Sequence, residues 1–159
     1  NCLEAFLGLM QPFVTQLGLR YLDLIVPTAG KSPVDYVAGP IARPGALADW
    51  TPAHHFTAVE YHRAKGRLRV QYTQNSGGTA WPPDLIGLSV VSRRPPPDPM
   101  QPNALLDMDR IETVEEIGDA SAFCPVFDAM HEDLSHAFRS MITQTALEEW
   151  GASSQGETA

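Results

Sequence analysis

The sequence predicts an α+β fold in which an antiparallel sheet of four to five strands packs against a long C-terminal helix and an N-terminal helix. Apolar and polar residues alternate on both sides of Lys65-Gly66, which is typical of a hairpin with one buried face. Apolar residues between Ala122 and Trp150 recur at helical spacing. With 159 residues, 43% of them apolar, the chain has enough core-forming side chains to fold without metal or disulfide crosslinks.

The N-terminal segment is predicted to form an amphipathic helix at residues 3–17, interrupted or bent at Pro12 and ending near Gly18. Its apolar residues follow helical spacing from the beginning of the chain. Residues 19–26 are rich in strand formers and predict a largely buried strand. Residues 27–52 contain repeated prolines and glycines, which predict a long loop with at most one helical turn at residues 34–37.

The hairpin around Lys65-Gly66 gives the clearest local pattern. A two-residue turn at this point predicts four cross-strand pairs: Tyr61 with Val70, Val59 with Tyr72, Glu60 with Gln71, and His62 with Arg69. This register gives both strands one apolar face and one polar face. We expect the apolar face to pack against the long helix.

Two further strands are predicted, at residues 85–91 and at residues 104–111. The second of these has acidic residues entering at alternate positions. Between them, residues 93–99 are rich in proline and indicate an extended connection of polyproline type. We interpret this connection as a stiff surface loop, with a ligand for a proline-binding module as the alternative.

The C-terminal helix is predicted at residues 122–150, with Pro125 in its first turn. Thr145 and Glu148 have the spacing of a capping box, which indicates that the last turns form a separate short helix. Its apolar stripe consists of Phe127, Met130, Leu134, Ala137, Phe138 and Met141. We therefore assign residues 1–150 to a single α+β domain and residues 151–159 to a disordered tail.

The segments at residues 18–25, 34–37, 104–109 and 131–143 resemble the C-terminal half of a sporadically distributed family of bacterial conserved hypothetical proteins. The resemblance implies a curved antiparallel sheet backed by helices, and it implies no activity. Members of that family have about 250 residues, which exceeds the length of this chain. Because this chain begins without methionine and with helical spacing already in place, we expect it to be the C-terminal half of a longer protein.

The negative net charge of the chain limits the classes of partner that it is expected to bind. Eleven basic residues against nineteen acidic ones give a formal charge of −8, which repels phosphate backbones and anionic membrane surfaces. No apolar run approaches the roughly 20 residues of a membrane span, and no signal peptide is recognisable. Cys2 and Cys124 show no metal-binding or redox spacing, so we expect reduced thiols and a cytoplasmic location.

Histidine and carboxylate side chains on the polar face of the hairpin indicate one candidate site. Glu60 and His62 lie on this face beside Arg67 and Arg69, and imidazole and carboxylate are the usual ligands of zinc and non-haem iron. Of the adjacent His54 and His55 only one can join His62, because neighbours on a strand point to opposite faces. The spacing matches no metal motif, so a solvated cross-strand charge pattern is our preferred interpretation.

Asp107 and Asp109 form a second candidate, since alternate residues on a strand share a face. Two carboxylates so placed can share a metal or a proton. We prefer a half-exposed polar face here too, because no third ligand can be identified. If a metal is bound, its candidate ligands are His54, His62, Asp107 and Asp109; we expect no cofactor.

Two other residue types invite a catalytic interpretation that their positions do not support. His131 and His136 flank Glu132 but are five residues apart, whereas the zinc-protease motif requires histidines four apart. Cys124 lies near the start of the predicted helix, where the dipole favours thiolate. We interpret it as a buried, inert thiol, since free cysteine is among the most buried residues. No phosphate-binding glycine motif occurs.

These observations favour a noncatalytic domain that binds another protein, or a second copy of itself, through apolar surface beside the sheet. We expect no membrane and no nucleic-acid partner, and the sequence does not identify a small-molecule ligand. The main alternative is a metal-dependent hydrolase that uses Glu60, His62, Asp107 and Asp109. The third hypothesis is a nucleic-acid-binding platform, which the negative net charge disfavours.

Overall fold

A computed structural model describes residues 14–43, 52–78, 81–86, 98, 100–117 and 120–151. The strands are β1 (Val14–Ile25), β2 (His54–Arg63), β3 (Gly66–Asn75) and β4 (Asn103–Ile117). The helices are α1 (Phe123–Met141) and α2 (Gln144–Glu149). Short 3-10 turns occur at Pro33–Asp35, Pro40–Ala42, Pro83–Leu85 and Ala120–Ala122. The antiparallel sheet and the C-terminal helix confirm the predicted α+β class.

The four strands form one antiparallel sheet in the order β1-β4-β3-β2. The last strand of the chain, β4, therefore lies in the interior of the sheet, between β1 and the hairpin formed by β2 and β3. A single row across the sheet joins Tyr21 to Met108, Met108 to Val70, and Val70 to Val59. Among the described strands, β2 and β1 are the two edges.

Alternate side chains separate the sheet into two faces, which we call the inner and the outer face. The inner face packs against α1 and carries Val70, Tyr72, Leu106 and Met108, all fully buried. Together with Leu134 of α1, these side chains belong to the main core cluster. The outer face carries the odd-numbered residues of β4, including Asp107 and Asp109. The inner face thus supplies most of the core.

The hairpin is confirmed, but its predicted register is wrong by two positions. The turn is Ala64-Lys65, and Val59 lies opposite Val70 instead of Tyr72. Because a shift by two positions keeps each side chain on the same face, the sorting into apolar and polar faces is unaffected. Val70 is fully buried, whereas Tyr61 on the edge strand is 50% exposed.

Gly66 explains the position of the turn. A Cβ atom built on Gly66 would lie 2.6 Å from the carbonyl oxygen of Ile111 and would also collide with the side chains of Arg110 and Glu112. Glycine is therefore required here for a close approach of β3 to β4 and not for a turn conformation. A glycine used in this way cannot be distinguished from a turn glycine by local pattern.

The N-terminal prediction is wrong where the structure tests it, because residues 14–17 belong to β1 and not to a helix. Gln16, Leu17 and Gly18 pair with β4 at Thr113, Glu112 and Ile111, and this long-range pairing outweighs a weak local helical preference. The other part of the predicted helix, residues 3–13, lies outside the described residues.

The predicted strand at residues 85–91 is also not supported where it can be compared. Leu85 ends a 3-10 turn and Ile86 follows it as an exposed turn residue. Residues 87–91 lie outside the described residues, and so does most of the proline-rich connection at residues 93–99. The described sheet therefore has four strands and shows no fifth.

At its C-terminal end the chain forms two helices, as the sequence indicates. The cap of α2 is Thr143, whose hydroxyl accepts a hydrogen bond from the Ala146 N–H at 3.3 Å, and not the predicted Thr145. Trp150, just after α2, stacks on Tyr36 with 5.9 Å between ring centroids. This stacking holds the loop after β1 against the C-terminal end of α2. No helix in the described part of the chain is long and apolar enough to cross a membrane.

Candidate functional site

The outer face of the sheet carries a row of alternating charges across all four strands. Glu60 on β2 lies opposite Arg69 on β3, Arg69 lies opposite Asp109 on β4, and Asp109 lies opposite Arg20 on β1. Directly opposite side chains of an antiparallel pair are close enough to interact. Two of the predicted site residues, Glu60 and Asp109, are therefore separated by an arginine.

Asp107 is held by Arg20 in a two-pronged ion pair. The Nε and Nη2 atoms of Arg20 lie 2.8 Å and 2.7 Å from the two carboxylate oxygens of Asp107, whose side chain is only 4% exposed. These hydrogen bonds raise the pKa of Arg20 well above its usual value, against the effect of burial. Arg20 also donates to Asp84, which lowers the pKa of that exposed carboxyl. The 3-10 turn at Pro83–Leu85 is thereby tied to the outer face.

The residues predicted for a metal site are on one face but in separate groups. Asp109 contacts Arg69 at 3.4 Å. Glu60 and His62 contact each other at 2.8 Å on the exposed edge strand, while His54 bonds Asn75 at 2.9 Å at the other end of β2. Within the described residues, no three His, Cys, Asp or Glu side chains are placed to hold a metal ion.

The outer edge of β2 presents backbone groups with which no described strand pairs. The Ser76 N–H donates to the Ala53 carbonyl at 3.1 Å, so odd-numbered residues here bond toward β3. In an antiparallel pair the bonding direction alternates, so the even-numbered residues 54–62 direct their N–H and C=O groups away from the sheet. No strand of the described chain pairs with this edge. Ten residues without proline thus form an open edge.

Two large aromatic side chains flank this open edge. Phe56 is 53% exposed and Tyr61 is 50% exposed. Their positions differ by five residues, so Phe56 projects from the outer face and Tyr61 from the inner face. The edge therefore offers apolar contact on both sides of its backbone.

A cleft of about 210 Å³ lies beneath the tip of the hairpin, on the side of α1. It is lined by residues from β2, β3, β4 and α1, among them Tyr61, His62, Arg63, Arg67, Arg110 and His136. We call it the tip cleft. By register Arg63 and Arg110 belong to the inner face, on the same side as Asp133 of α1, whereas His62 and Arg67 belong to the outer face.

Arg110 forms the buried wall of the tip cleft, with a side chain only 3% exposed. Its Nε donates to Asp133 at 2.9 Å, and its other nitrogens donate to Glu112 and to the carbonyl of Ile111. Burial opposes the charge, but the hydrogen bonds to Asp133 and Glu112 prevail and raise the pKa of Arg110. Arg63 donates to the same Asp133 from the edge strand. One carboxylate therefore serves two guanidinium groups.

The hairpin is basic although the chain is acidic. Residues 54–75 contain four basic residues and one acidic residue, a net charge of +3 with histidine neutral. The rest of the chain must then carry −11 to give the total of −8. This separation places the positive charge next to the open edge and the tip cleft.

The structure also shows the positions of the three residues for which the sequence analysis rejected a catalytic role. His131 contacts the Tyr21 hydroxyl through Nδ1, and His136 is exposed at the tip cleft. Cys124 is exposed near the beginning of α1, so the expected burial of this thiol is wrong. The reason is that Cys124 directly follows Phe123, which occupies the buried side of the first turn.

Sequence reasoning missed the tip cleft and the open edge. The excess of basic residues between Arg63 and Arg69 was visible, but Arg110 and Asp133 come from distant segments. Comparison of the chain with protein-family models, with curated proteins and with solved structures finds no match.

Proposed function

We propose that this chain is a noncatalytic interaction domain that binds an extended protein segment by adding it as a fifth strand at β2. The observation that carries the proposal is the open edge, where even-numbered residues of β2 direct backbone groups outward and no described strand pairs with them. Proteins usually cover or interrupt such an edge, because it is a template for pairing with another chain. Strand addition is an established mode of peptide recognition.

The side chains of β2 support this proposal. Phe56 and Tyr61 lie beside the edge on opposite faces, so an added strand gains apolar contact on each side. Each backbone hydrogen bond contributes roughly 0.5–1.5 kcal/mol net. Several such bonds together with two aromatic contacts offer enough free energy for a reversible complex.

The hydrolase alternative is less well supported. Its carboxylates at Asp107 and Asp109 each face an arginine, and the histidines of β2 lie at opposite ends of that strand. A hydrolytic centre requires these groups to converge on one reacting atom. We therefore favour binding over catalysis.

The experiment compares two substitutions at one outward-directed position. In Ala58→Pro the outward N–H is lost, while proline is tolerated on an edge strand whose N–H faces solvent. Ala58→Val keeps the N–H and favours a strand. The probes are fluorescein-labelled decapeptides that alternate threonine with glutamate, glutamine or lysine, together with glutamate peptides interrupted by proline.

Fluorescence anisotropy is expected to show binding of at least one uninterrupted peptide to the native chain and to Ala58→Val. We expect that binding to fall by about tenfold in Ala58→Pro, the equivalent of about 1.4 kcal/mol. Sedimentation velocity without peptide tests whether copies of the chain pair with each other, again by comparing the native chain with Ala58→Val and Ala58→Pro. If no peptide binds and no association occurs, or if Ala58→Pro changes neither, strand addition is wrong.

A further inference from the structure

We infer that the strand added at β2 is β2 of a second copy of this chain, paired antiparallel about a two-fold axis at Thr57. Thr57 of one copy then lies opposite Thr57 of the other, and the described sheets of the two copies become continuous. This inference rests on the proposed strand addition and identifies the partner. Three properties of β2 support it: its outer-face charges, the sizes of its side chains, and the number of backbone hydrogen bonds that this register forms.

The charges of β2 are complementary to themselves in this register. The residue three positions after Thr57 lies opposite the residue three positions before it, so Glu60 faces His54 of the other copy, and the two-fold axis makes this pair occur twice. The Nδ1 of His54 bonds Asn75 at 2.9 Å, while its Nε2 has no partner among the described residues. Glu60 contacts His62 through Oε1, and no described group bonds its Oε2. An imidazole donor is thus placed opposite a carboxylate acceptor.

The large and small side chains of β2 also match. On the outer face the exposed ring of Phe56 lies opposite the exposed Ala58 of the other copy. On the inner face Tyr61 lies opposite Ala53, which directly precedes β2. At the axis Thr57 lies opposite itself, and threonine pairs are favourable between neighbouring strands. Each exposed aromatic side chain at the open edge therefore covers an alanine.

The register also uses the backbone groups that β2 directs outward. The even-numbered residues from 54 to 60 lie opposite even-numbered residues of the other copy, so both members of each pair have outward N–H and C=O groups. Four such pairs form about eight hydrogen bonds, because each pair exchanges two. The strand contains no proline that would interrupt them.

Other two-fold registers match the side chains less well. An axis at Ala58 places histidine opposite histidine, and an axis at Glu60 places two carboxylates opposite each other. An axis at Val59 leaves Glu60 opposite an alanine. An axis at Tyr61 pairs Glu60 with a histidine but overlaps the strands only at residues 59–63. None of these registers combines opposite charges with a long overlap.

The positive charge of the hairpin does not prevent this pairing. Arg63 bonds Asp133 and Arg69 contacts Asp109, so carboxylates from outside the hairpin compensate two of its four basic residues. Antiparallel pairing also directs the two hairpin tips, each with Lys65, toward opposite ends of the joined sheet. At about 3.4 Å per residue the tips are roughly 50 Å apart, well beyond the Debye length of about 8 Å at physiological salt.

Disulfide crosslinking tests the partner and the register together. In a chain with Cys2→Ser and Cys124→Ser, the variant Thr57→Cys places two thiols at a non-hydrogen-bonded pair, where neighbouring backbones approach most closely. The two Cβ atoms are about 5 Å apart, near the separation that a disulfide spans. We expect oxidised glutathione to convert most of this variant to a covalent dimer.

The matched controls are Val59→Cys and Tyr61→Cys, on the same face of the same strand. In the proposed register the two copies of residue 59 are displaced by about 14 Å along the strands, which is too far for a disulfide. We expect both controls to crosslink about tenfold more slowly than Thr57→Cys. Adding Ala58→Pro to Thr57→Cys removes an outward N–H from each copy and is expected to slow crosslinking about tenfold.

The charge pair is tested separately by sedimentation equilibrium. Glu60→Gln and His54→Gln are each expected to weaken the dimer about threefold, since exposed pairs contribute modestly. The double variant is expected to be no weaker than either single variant, because the pair is already lost. Glu132→Gln, at an exposed position on α1, is the control of equal charge and is expected to leave the dimer unchanged. Melting curves of each variant establish that the fold is intact.

The outcomes separate the two proposals. If an uninterrupted peptide binds, Ala58→Pro weakens its binding and the native chain stays monomeric, strand addition stands and the second copy is wrong. If Val59→Cys or Tyr61→Cys crosslinks as fast as Thr57→Cys, the register is wrong and the inference is overturned. Losses from Glu60→Gln and His54→Gln that add in the double variant would show that these residues do not pair. If neither peptide binding nor association occurs, both proposals fail.

Discussion

Arg20 and Asp107 are joined side by side on neighbouring strands, with both carboxylate oxygens of Asp107 within 2.8 Å of the guanidinium of Arg20. Asp107 is almost fully buried, so Arg20 provides the hydrogen bonds that water provides to an exposed carboxylate. We expect Arg20→Ala to lower the free energy of unfolding by about 3 kcal/mol, since it leaves a buried charge uncompensated. Urea denaturation monitored by circular dichroism measures the change.

Two further variants serve as controls for this ion pair. Arg69→Ala breaks the longer and more exposed contact with Asp109, and we expect a loss below about 1 kcal/mol. The double variant Arg20→Met with Asp107→Leu is expected to recover most of the lost stability, because apolar pairs often replace buried ion pairs well. Equal losses from Arg20→Ala and Arg69→Ala would contradict the importance of burial.

Two glycines on the sheet are expected to respond in opposite ways to alanine. Gly66→Ala places a methyl group against the Ile111 carbonyl and Arg110, and overpacking of this kind costs about 1–3 kcal/mol. Gly18→Ala meets no atom within 4 Å and is expected to stabilise β1 by about 0.5 kcal/mol. Thermal melting of both variants tests the prediction, which fails if Gly66→Ala is neutral.

The half-buried carboxyl of Asp23 makes stability depend on pH. Burial raises its pKa above the ordinary value of 3.8, so the folded chain binds this proton more tightly than the unfolded chain does. Stability from this group is therefore present at pH values below the ordinary pKa and is lost as the pH rises through the raised value. We expect Asp23→Asn to raise the melting temperature at pH 7 and to lose that advantage at pH 3.

The control for this prediction is Asp128→Asn, an exposed position on α1, which is expected to have little effect at either pH. An Asp23→Asn variant that melts lower than the native chain at pH 7 would show that the carboxylate has a stabilising partner.

The two threonines near the start of α2 are expected to respond differently to alanine, because only Thr143 caps the helix. Thr143→Ala removes a hydroxyl that accepts from the Ala146 N–H and donates to the Asp35 carbonyl, and we expect a loss of about 1 kcal/mol. Thr145→Ala, at an exposed position inside the helix, is expected to be neutral or slightly stabilising. Chemical denaturation of the two variants provides the comparison, and a larger loss from Thr145→Ala would reverse the assignment.

The local pattern of apolar and polar residues correctly predicted those strands and helices whose conformation depends mainly on their own side chains. The alternation around Val59 and Val70 predicted the hairpin and its faces, and the stripe through Leu134 predicted the buried side of α1. The hairpin register was missed because Gly66 is needed for contact with β4, and residues 14–17 were missed because their partner strand lies about a hundred positions away. Pairing with a strand that is distant in sequence cannot be inferred from the local pattern of apolar and polar residues.

The candidate site was predictable only in part, for the same reason. Sequence alone placed Asp107 and Asp109 on one face and identified Glu60 and His62 as neighbours. It did not identify Arg20 as the partner of Asp107, because the two are 87 positions apart. The separation of the candidate ligands follows from the strand order β1-β4-β3-β2, which the sequence did not predict.

That strand order has a consequence for synthesis on the ribosome. The hairpin of β2 and β3 closes through neighbouring residues and can form as soon as it leaves the exit tunnel. Strand β1 is made earlier but has its only described pairing with β4, so it must wait until residues 103–117 have emerged. A nascent chain stalled before that point leaves the apolar residues of β1 without their partner strand, and unpaired strands of this kind favour aggregation.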